Sequence, residues 1–137
     1  MARNALSDQS ASNPHPYSPA YAVDGFAFVS GALSIDTHGK AVDGRTEALD
    51  AAMDRMTERL ATVGGRLGNV VKLTYFVTDV TLRDEANRQF ERVFSEPRPA
   101  RTFLEVSRLP YEATVEIDCI AHLADETRSP ARDPHSE

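Results

Sequence analysis

The stretch from residue 114 to residue 123, TVEIDCIAHL, sets the framework of the fold. Its residues alternate in character. One face carries Val115, Ile117, Cys119, Ala121 and Leu123, and the other carries Thr114, Glu116, Asp118, Ile120 and His122. Alternation with a period of two is the pattern of a β-strand. The sequence therefore predicts a strand here that turns one face toward a core.

Two amphipathic helices are predicted upstream of this strand. In residues 46–63, apolar side chains recur at spacings of three and four, and Gly64-Gly65 follows as a helix stop. A second helix is predicted from residue 82 to about residue 94, with Thr81 and Asp84 as its capping box. Each helix has one apolar stripe that can pack on a sheet.

The remaining strand signals complete the fold prediction. Residues 70–78 are rich in β-branched and aromatic side chains, residues 21–30 and 35–42 suggest hairpin strands, and a short strand surrounds Leu104. The predicted order is β-β-β-α-β-α-β-β. This order favours an α+β fold, a mixed sheet of about six strands with two helices on one face.

Two helices can cover only one face of such a sheet. The other face is also apolar, because Phe26 and Phe28 alternate with Ala27 and Val29 along one strand. An exposed apolar patch usually marks an interface. The sequence therefore predicts that the protein self-associates through its sheet.

Length and composition limit the domain organisation and the classes of partner. The chain has 137 residues, which fits one domain, and we expect it at residues 17–123 between disordered tails at 1–16 and 124–137. The net charge of −6 argues against nucleic acid as the main partner. We expect neither a membrane span nor a secretory signal. The single cysteine favours a reducing, cytoplasmic location.

Four charged residues, Arg98, Arg101, Glu105 and Glu116, form the densest group of candidate site residues. Exposed ion pairs would explain most of them without any function. Glu116 is more informative, because it belongs to the sheet face that we expect to be buried on association. A buried carboxylate is either paired with an arginine or held with a perturbed pKa at a working site, and the sequence leaves both open.

Other chemistry has little support in the sequence. The glycine-rich residues 64–68 follow a helix, the reverse of the strand-to-helix order of a phosphate loop. Cys119 has the parity of the core face and is expected to be an inert thiol. The four histidines lack ligand spacing, so no metal site is predicted. No nucleophile lies beside an evident base, so we expect any reaction to use bound water.

Several blocks of sequence resemble the Rid family, also called YjgF/UK114. They are PARTFLEV at 99–106, Leu109-Pro110 and VEIDCIA at 115–121, preceded by PYSPA at 16–20, FVSG at 28–31, GNVVK at 68–72 and VTD at 77–79. The resemblance spans roughly residues 17–123, and the block from Arg101 to Glu116 is quite specific. It implies a chorismate-mutase-like fold, assembled as a homotrimeric barrel with a cleft at each subunit interface.

The resemblance also implies a reaction. Deaminases of this family hydrolyse reactive enamines or imines, such as 2-aminoacrylate-type 2-imino acids, to 2-keto acids and ammonia without a cofactor. Carried over by position, Arg101 would bind the substrate carboxylate and Glu116 would handle water and protons. Tyr17, the backbone of Gly31 and Phe103 would line the cleft.

Phe103 is the main departure from the family pattern, because a cysteine is common at this position. If the position acts through its backbone, the chemistry is retained, whereas a side-chain role would alter substrate choice. Two alternatives therefore stay open: a pathway deaminase acting on an aminomuconate-like or secondary-metabolite enamine, and a non-catalytic ligand-binding trimer. Ribonuclease activity, sometimes ascribed to relatives, is disfavoured by the acidic composition.

Overall fold

Five strands and two helices make up the part of the chain that the computed structural model describes, residues 14–123. In chain order they are β1 (Ala20–Val23), β2 (Phe26–Leu33), α1 (Arg45–Ala61), β3 (Val70–Val77), α2 (Arg83–Val93), β4 (Ala100–Glu105) and β5 (Val115–His122). Both predicted helices and the predicted last strand are confirmed, with ends shifted by one or two residues. The predicted tails lie outside the described residues, apart from residues 14–16.

The strands form one mixed sheet in the order β1-β2-β5-β3-β4. All neighbouring strands are antiparallel except β3 and β4, which run parallel and are joined through α2. The predicted last strand, β5, therefore lies at the centre of the sheet. Its residues are alternately buried and half-buried, as the sequence pattern predicts.

The mixed sheet has five strands, and the strand predicted at residues 35–42 is not one of them. The hairpin closes earlier, at Asp24-Gly25, where positive φ angles of 53° and 82° give the tight turn that this dipeptide favours. Residues 35–42 contribute only an isolated bridge between Ile35 and Ala41. The cause is local: the Asp36 carboxylate accepts hydrogen bonds from the backbone N–H groups of His38 and Lys40, which folds the segment into a loop.

Both helices pack on one face of the sheet. The buried residues of α1 include Leu49, Met53, Met56 and Leu60, and those of α2 include Phe90. Burying each such side chain contributes about 1.5–3 kcal/mol. Within residues 14–123, neither helix has the length and apolar character needed to cross a membrane.

The ends of the helices show which local predictions hold. Gly64, with a φ of 84°, ends the α1 turn, so the glycine-rich stretch is a helix stop as predicted. The predicted capping box of α2 is wrong. The Asp79 carboxylate accepts from the Thr81 backbone N–H at 2.9 Å and caps a short 3-10 turn, Val80–Leu82, that precedes the helix.

The sheet face opposite the helices is open and largely apolar. Phe26 and Phe28 on β2 and Leu104 on β4 are 39%, 46% and 37% exposed. Phe76 on β3 lies between Leu104 and β5 in the strand register and is half-buried on the same face. The bare apolar face predicted from the sequence is confirmed, and self-association through it remains a prediction.

A strained loop precedes β5 and allows a stability prediction. Tyr111 and Glu112 have φ angles of 59° and 60°, in the left-handed region that disfavours side chains with a Cβ atom. We expect Glu112→Gly to raise the free energy of unfolding by about 0.5–1 kcal/mol, measured by urea denaturation. The same change near the C-terminal end of α1, Glu58→Gly, is the control and should lower it, by up to about 1 kcal/mol. Destabilisation by Glu112→Gly would contradict the prediction.

Candidate active site

The guanidinium of Arg101 lies on the helix-covered side of β4, among three aromatic rings. Arg101 pairs with the buried Leu73 in the register of β3 and β4, which puts both side chains on the same face. Its Cζ atom is 5.2 Å from the ring centre of Phe90, 5.4 Å from that of Tyr75 and 5.5 Å from that of Phe103. Cation–π contacts of this kind contribute about 0.5–1 kcal/mol each at exposed sites. The rings therefore hold the guanidinium in place.

Within residues 14–123, no carboxylate pairs with Arg101. The arginines in ion pairs there are Arg45, Arg92 and Arg98. Burial lowers the pKa of Arg101 below its ordinary value, and the nearby charge of Arg83 lowers it further. Since an arginine in a protein keeps its charge, Arg101 is a desolvated cation whose donors are open to an external anion.

A chain of hydrogen bonds fixes the Tyr75 ring beside Arg101. The Tyr75 hydroxyl donates to Gln89 Oε1 at 2.8 Å, and Gln89 Nε2 donates to Asp50 Oδ1 at 2.8 Å. Arg92 Nη2 donates to the same Asp50 oxygen at 3.1 Å. Burial raises the pKa of Tyr75, so its hydroxyl stays protonated and keeps donating. This network ties the ring beside Arg101 to both helices.

The Glu116 carboxylate lies on the open face of β5, against the backbone of β2. A Cβ atom added at Gly31 would overlap the Glu116 carboxylate, so a larger residue at position 31 requires the Glu116 side chain to move. Burial raises the pKa of Glu116, and the neighbouring charge of Asp118 raises it further, whereas Arg59 lowers it. Glu116 is therefore a carboxyl group whose protonated form is favoured relative to that of an exposed glutamate, as is common for proton-transfer groups.

Tyr17 lies beside the same part of β2. The segment that follows it is bound to Ser30, whose hydroxyl donates to the Ser18 carbonyl at 2.7 Å and whose N–H donates to the Pro19 carbonyl at 3.0 Å. The Tyr17 side chain is 46% exposed, and its hydroxyl is hydrogen-bonded to Arg59. Arg59 in turn interacts electrostatically with Glu116. Tyr17, Gly31 and Glu116 thus form one group, called here the acid half-site.

The close contact between Gly31 and Glu116 gives a prediction that needs no substrate. Gly31→Ala should lower the free energy of unfolding by about 1 kcal/mol, because the half-buried Glu116 side chain has to move away from the new methyl group. In a Glu116→Ala background the same change should cost less, since the three atoms nearest to the new methyl group all belong to the Glu116 side chain. Urea denaturation of the four proteins forms a double-mutant cycle. An equal cost in both backgrounds would refute the contact.

Arg101 and Phe103 form the second group, the arginine half-site, together with Tyr75 and Phe90. It lies on the opposite face of the sheet from Glu116. In the register, Glu116 is paired with Phe76 on the open face, whereas Arg101 and Phe103 are paired with the buried Leu73 and Tyr75. The structure therefore divides the predicted site residues into two half-sites that do not meet within one chain.

The other two members of the charged group predicted from the sequence belong to neither half-site. Arg98 donates to the Glu96 carboxylate at 3.1 Å and to the Phe94 carbonyl at 3.0 Å. Glu105 accepts from the Val80 N–H at 2.8 Å. Exposed ion pairs and local hydrogen bonds, the explanation that the sequence analysis gave for most of the four residues, account for these two. Arg98 and Glu105 have local structural partners.

Metal and thiol chemistry have no support in the described residues. Within residues 14–123, no group of His, Cys, Asp and Glu side chains is arranged to hold a metal ion. Cys119 Sγ packs 3.4 Å from Met56 Sδ in the core, and burial raises the pKa of Cys119 to about 12. Such a thiol is an inert packing group, as the sequence predicts.

The sequence reasoning missed three residues that belong to the half-sites or contact them. Tyr75 and Phe90 are the rings beside Arg101, and their positions on a strand and a helix stripe indicate only burial. Arg59 was also missed, although it occupies the apolar stripe of α1 between Met56 and Val63. The sequence did contain a signal for Arg59, namely a charged residue on the otherwise apolar stripe of α1.

Comparison with known proteins supports a single family. The sequence model of the family described as Endoribonuclease L-PSP matches residues 8–123. The chain is 33% identical over 124 residues to the RutC family protein UK114 of Drosophila melanogaster, covering 88% of this chain and 90% of that protein. It is 34% identical over 110 residues to Reactive Intermediate Deaminase A, chloroplastic, of Arabidopsis thaliana, covering 79% of this chain and 59% of that protein.

Solved structures agree with this assignment. A putative endoribonuclease from Thermotoga maritima matches with a TM-score of 0.74 and 35% identity, covering 80% of this chain and 88% of that one. RidA from an Antarctic Psychrobacter species matches with a TM-score of 0.73 and 29% identity, covering 80% and 89%. The sequence resemblance, the sheet topology and these matches together show that the chain belongs to the Rid (YjgF/UK114) family.

Proposed function

We propose that this protein is a cofactor-independent enamine/imine deaminase that hydrolyses 2-aminoacrylate-type 2-imino acids to 2-keto acids and ammonia. The observation that carries the proposal is the state of Arg101. Its guanidinium is charged, partly desolvated and fixed by three rings, and it has no carboxylate partner within residues 14–123. A planar guanidinium binds a carboxylate through two parallel hydrogen bonds. Arg101 therefore binds the carboxylate next to the imine.

Glu116 handles water and protons in this proposal. It orients a water molecule toward the imine carbon and accepts one of its protons as the C–O bond forms. It then returns that proton to the nitrogen. As the C–N bond breaks, the hydroxyl group loses its remaining proton to Glu116 and the C=O bond forms. The products are a 2-keto acid and ammonia, which takes up that last proton as ammonium. A carboxyl group whose pKa is raised by burial and by Asp118 suits both steps. A protonated imine is already electrophilic, so positioning and proton transfer are sufficient and no cofactor is required.

The proposed site is completed by a second copy of the chain. Arg101 and Glu116 lie on opposite faces of one sheet, so a substrate that touches both must lie between protomers. The open apolar face, with Phe26, Phe28 and Leu104, is the surface available for such an association. We propose a homotrimer in which the arginine half-site of one protomer meets the acid half-site of its neighbour. The single cysteine is consistent with action in the cytoplasm.

Phe103 limits the size of the substrate in this proposal. Its ring is half-buried and packs 5.8 Å from the Tyr75 ring and 5.5 Å from Arg101 Cζ. The ring therefore supports the guanidinium and also occupies space next to it. Small 2-imino acids such as 2-iminopropanoate and 2-iminobutanoate are the first substrates to test.

The test generates these imines in situ from alanine or 2-aminobutanoate with an amino-acid oxidase and traps them with semicarbazide. The protein should lower the semicarbazone yield in proportion to its concentration, because hydrolysis removes the imine before it is trapped. The matched control is Arg101→Ala. If the protein competes no better than this variant, the proposal fails for these substrates.

Incubation with RNA in a parallel reaction tests the endoribonuclease activity for which the family is named, and the acidic composition predicts no cleavage.

A further inference from the structure

Gln89 is a buried polar residue on the side of α2 that packs against the sheet. It is 4% exposed, and it shares this side of the helix with the buried residues Ala86, Phe90 and Val93. A buried amide is costly unless its hydrogen-bonding groups have partners. An apolar side chain could fill this position without that requirement. Packing alone therefore does not explain a glutamine here.

The Gln89 amide is held in one orientation by its two partners. Its nitrogen donates to Asp50 Oδ1, and its oxygen accepts from the Tyr75 hydroxyl, each at 2.8 Å. The same Asp50 oxygen accepts from Arg92 Nη2 at 3.1 Å. Because a carboxylate only accepts hydrogen bonds, the amide turns its nitrogen to Asp50 and its oxygen to Tyr75. Asp50 and Gln89 together thus present one fixed acceptor to the Tyr75 hydroxyl.

This acceptor fixes the central one of the three rings around Arg101. The Tyr75 ring is fully buried and contacts both other rings, with distances between ring centres of 5.8 Å to Phe103 and 6.4 Å to Phe90. Arg101 Cζ lies 5.4 Å from the centre of the Tyr75 ring. Since no carboxylate within residues 14–123 pairs with Arg101, the rings are what orients its guanidinium. A shift of the Tyr75 ring therefore shifts the guanidinium as well.

The stability of the fold does not require this network. The ion pair between Asp50 and Arg92 is partly exposed, and such pairs contribute little to stability. Replacing both partners of a buried hydrogen bond by apolar groups of similar shape is often nearly neutral. Phenylalanine at position 75 and methionine at position 89 would form such an apolar pair. This pair would lack the directional bond that holds the ring at one point, so the specific effect of the network is on position.

We propose that Gln89 and Asp50 are positioning residues of the arginine half-site, which act through Tyr75 on the affinity of Arg101 for the substrate carboxylate. This inference rests on the proposed function, which makes the carboxylate of a 2-imino acid the ligand of Arg101. Two parallel hydrogen bonds to a carboxylate need the guanidinium in one plane and at one distance. A ring that can tilt spreads the guanidinium over several positions, so the carboxylate binds less tightly. The effect falls on KM rather than kcat, because Glu116 belongs to the other half-site.

The test compares stability with KM in the parent protein, Tyr75→Phe, Gln89→Met and the double variant. Each single variant leaves one buried group without its partner, so each should have a lower thermal midpoint than the parent. The double variant removes both partners, so its midpoint should return most of the way to the parent value. Its KM for 2-iminobutanoate should nevertheless stay about 3- to 10-fold above that of the parent, as in the single variants, with kcat within about twofold. Arg88→Met, at the adjacent exposed position of α2, is the control and should change neither quantity.

A network with a structural role alone gives a different result. In that case the KM of the double variant returns to the parent value together with the thermal midpoint. That outcome overturns the inference, and so does a KM within twofold of the parent in both single variants.

Two variants of Asp50 give a second comparison at a partly exposed position, and they test the inference even if a core variant does not fold. In Asp50→Asn, the new amide oxygen can still accept from Gln89 and Arg92, so KM should stay at the parent value although the ion pair is lost. Asp50→Leu has no acceptor for Gln89, so it should raise KM as Gln89→Met does. Equal KM values for the two variants would contradict the role of Asp50.

Binding of 2-oxobutanoate, measured by isothermal titration calorimetry, separates this inference from the proposed function. This keto acid carries the same carboxylate as the imine but needs no hydrolysis. If the parent protein binds it about 3- to 10-fold more tightly than the double variant but hydrolyses no imine, the deaminase proposal fails and the positioning role stands. If the parent protein hydrolyses 2-iminobutanoate and all variants bind the keto acid equally, the positioning role fails and the deaminase proposal stands.

Discussion

Arg101→Ala is expected to lower kcat/KM for 2-iminobutanoate on the order of 100-fold, because hydrogen bonds to a charged group contribute up to about 3 kcal/mol. The loss arises from the substrate carboxylate, which would have no other partner on the arginine half-site. Arg101 is free to bind it because, within residues 14–123, no acidic side chain pairs with the guanidinium. The measurement is a semicarbazide competition over a range of imine concentrations.

Arg101→Lys distinguishes charge from geometry at this position. A lysine keeps the positive charge but cannot donate two parallel hydrogen bonds, and it stacks less well on the rings of Tyr75, Phe90 and Phe103. We expect it to recover only part of the lost activity, mostly as a raised KM. Arg88→Ala, on an exposed position of α2, is the control and should behave like the parent protein. Activity of Arg101→Ala within twofold of the parent would contradict the carboxylate role.

Glu116→Gln is expected to have the second large effect, a decrease in kcat of about 10²- to 10⁴-fold with a smaller change in KM. Glutamine has nearly the shape of glutamate and still fits beside Gly31, but it cannot accept or return a proton. Steady-state kinetics of the purified variant give both constants. If kcat stays within threefold of the parent value, Glu116 does not handle the protons.

The same variant has a predicted effect on stability, whose sign follows from the pKa of Glu116. Burial raises this pKa above its ordinary value of 4.5, so the ionised form is disfavoured in the folded protein. The stability contribution of Glu116 is full below pH 4.5 and is lost as the pH rises through the higher folded pKa. Glu116→Gln has no carboxylate at this position, so the variant does not lose stability in this way. The free energy of unfolding of the variant minus that of the parent protein should therefore rise from acidic to neutral pH. Urea denaturation at several pH values measures it.

Asp118→Asn is the control for the proton role. The Asp118 charge raises the pKa of Glu116, so its removal should lower that pKa. The acidic limb of the pH profile of kcat/KM should then move to lower pH while the maximum rate changes little. An unchanged limb would show that another group controls the profile.

The fold was predictable where a single residue pattern determined a single element. The alternation in β5 and the stripe of α1 depend only on which residues face the core, so both could be predicted from the sequence. The hairpin turn at Asp24-Gly25 was missed although the dipeptide favours a tight turn, because it lies inside a longer run of strand-forming side chains. The loop at residues 35–42 depends on side-chain bonds of Asp36, which periodicity does not show.

The candidate site was predictable only in part, because its residues come from separate elements. Arg101 and Glu116 were identified by resemblance, but their placement on opposite faces depends on the parallel pairing of β4 with β3. The rings of Tyr75 and Phe90 both lie at Arg101 because α2, which carries Phe90, connects β3 to β4 and packs on the face of the sheet that carries Tyr75. Arg59 was predictable in principle, since a cation on the apolar stripe of a helix is anomalous in the sequence itself.

The division of the half-sites by the sheet has a consequence for enzyme kinetics. A hydrogen-bonded sheet separates Arg101 from Glu116, so no side-chain rotation can unite them within one protomer. A reaction that needs both groups must therefore stop when the protein is diluted below the dissociation constant of the assembly. This holds even if each separate protomer stays folded. The rate law would contain the concentration of assembled protein, so specific activity would change with dilution even at saturating substrate.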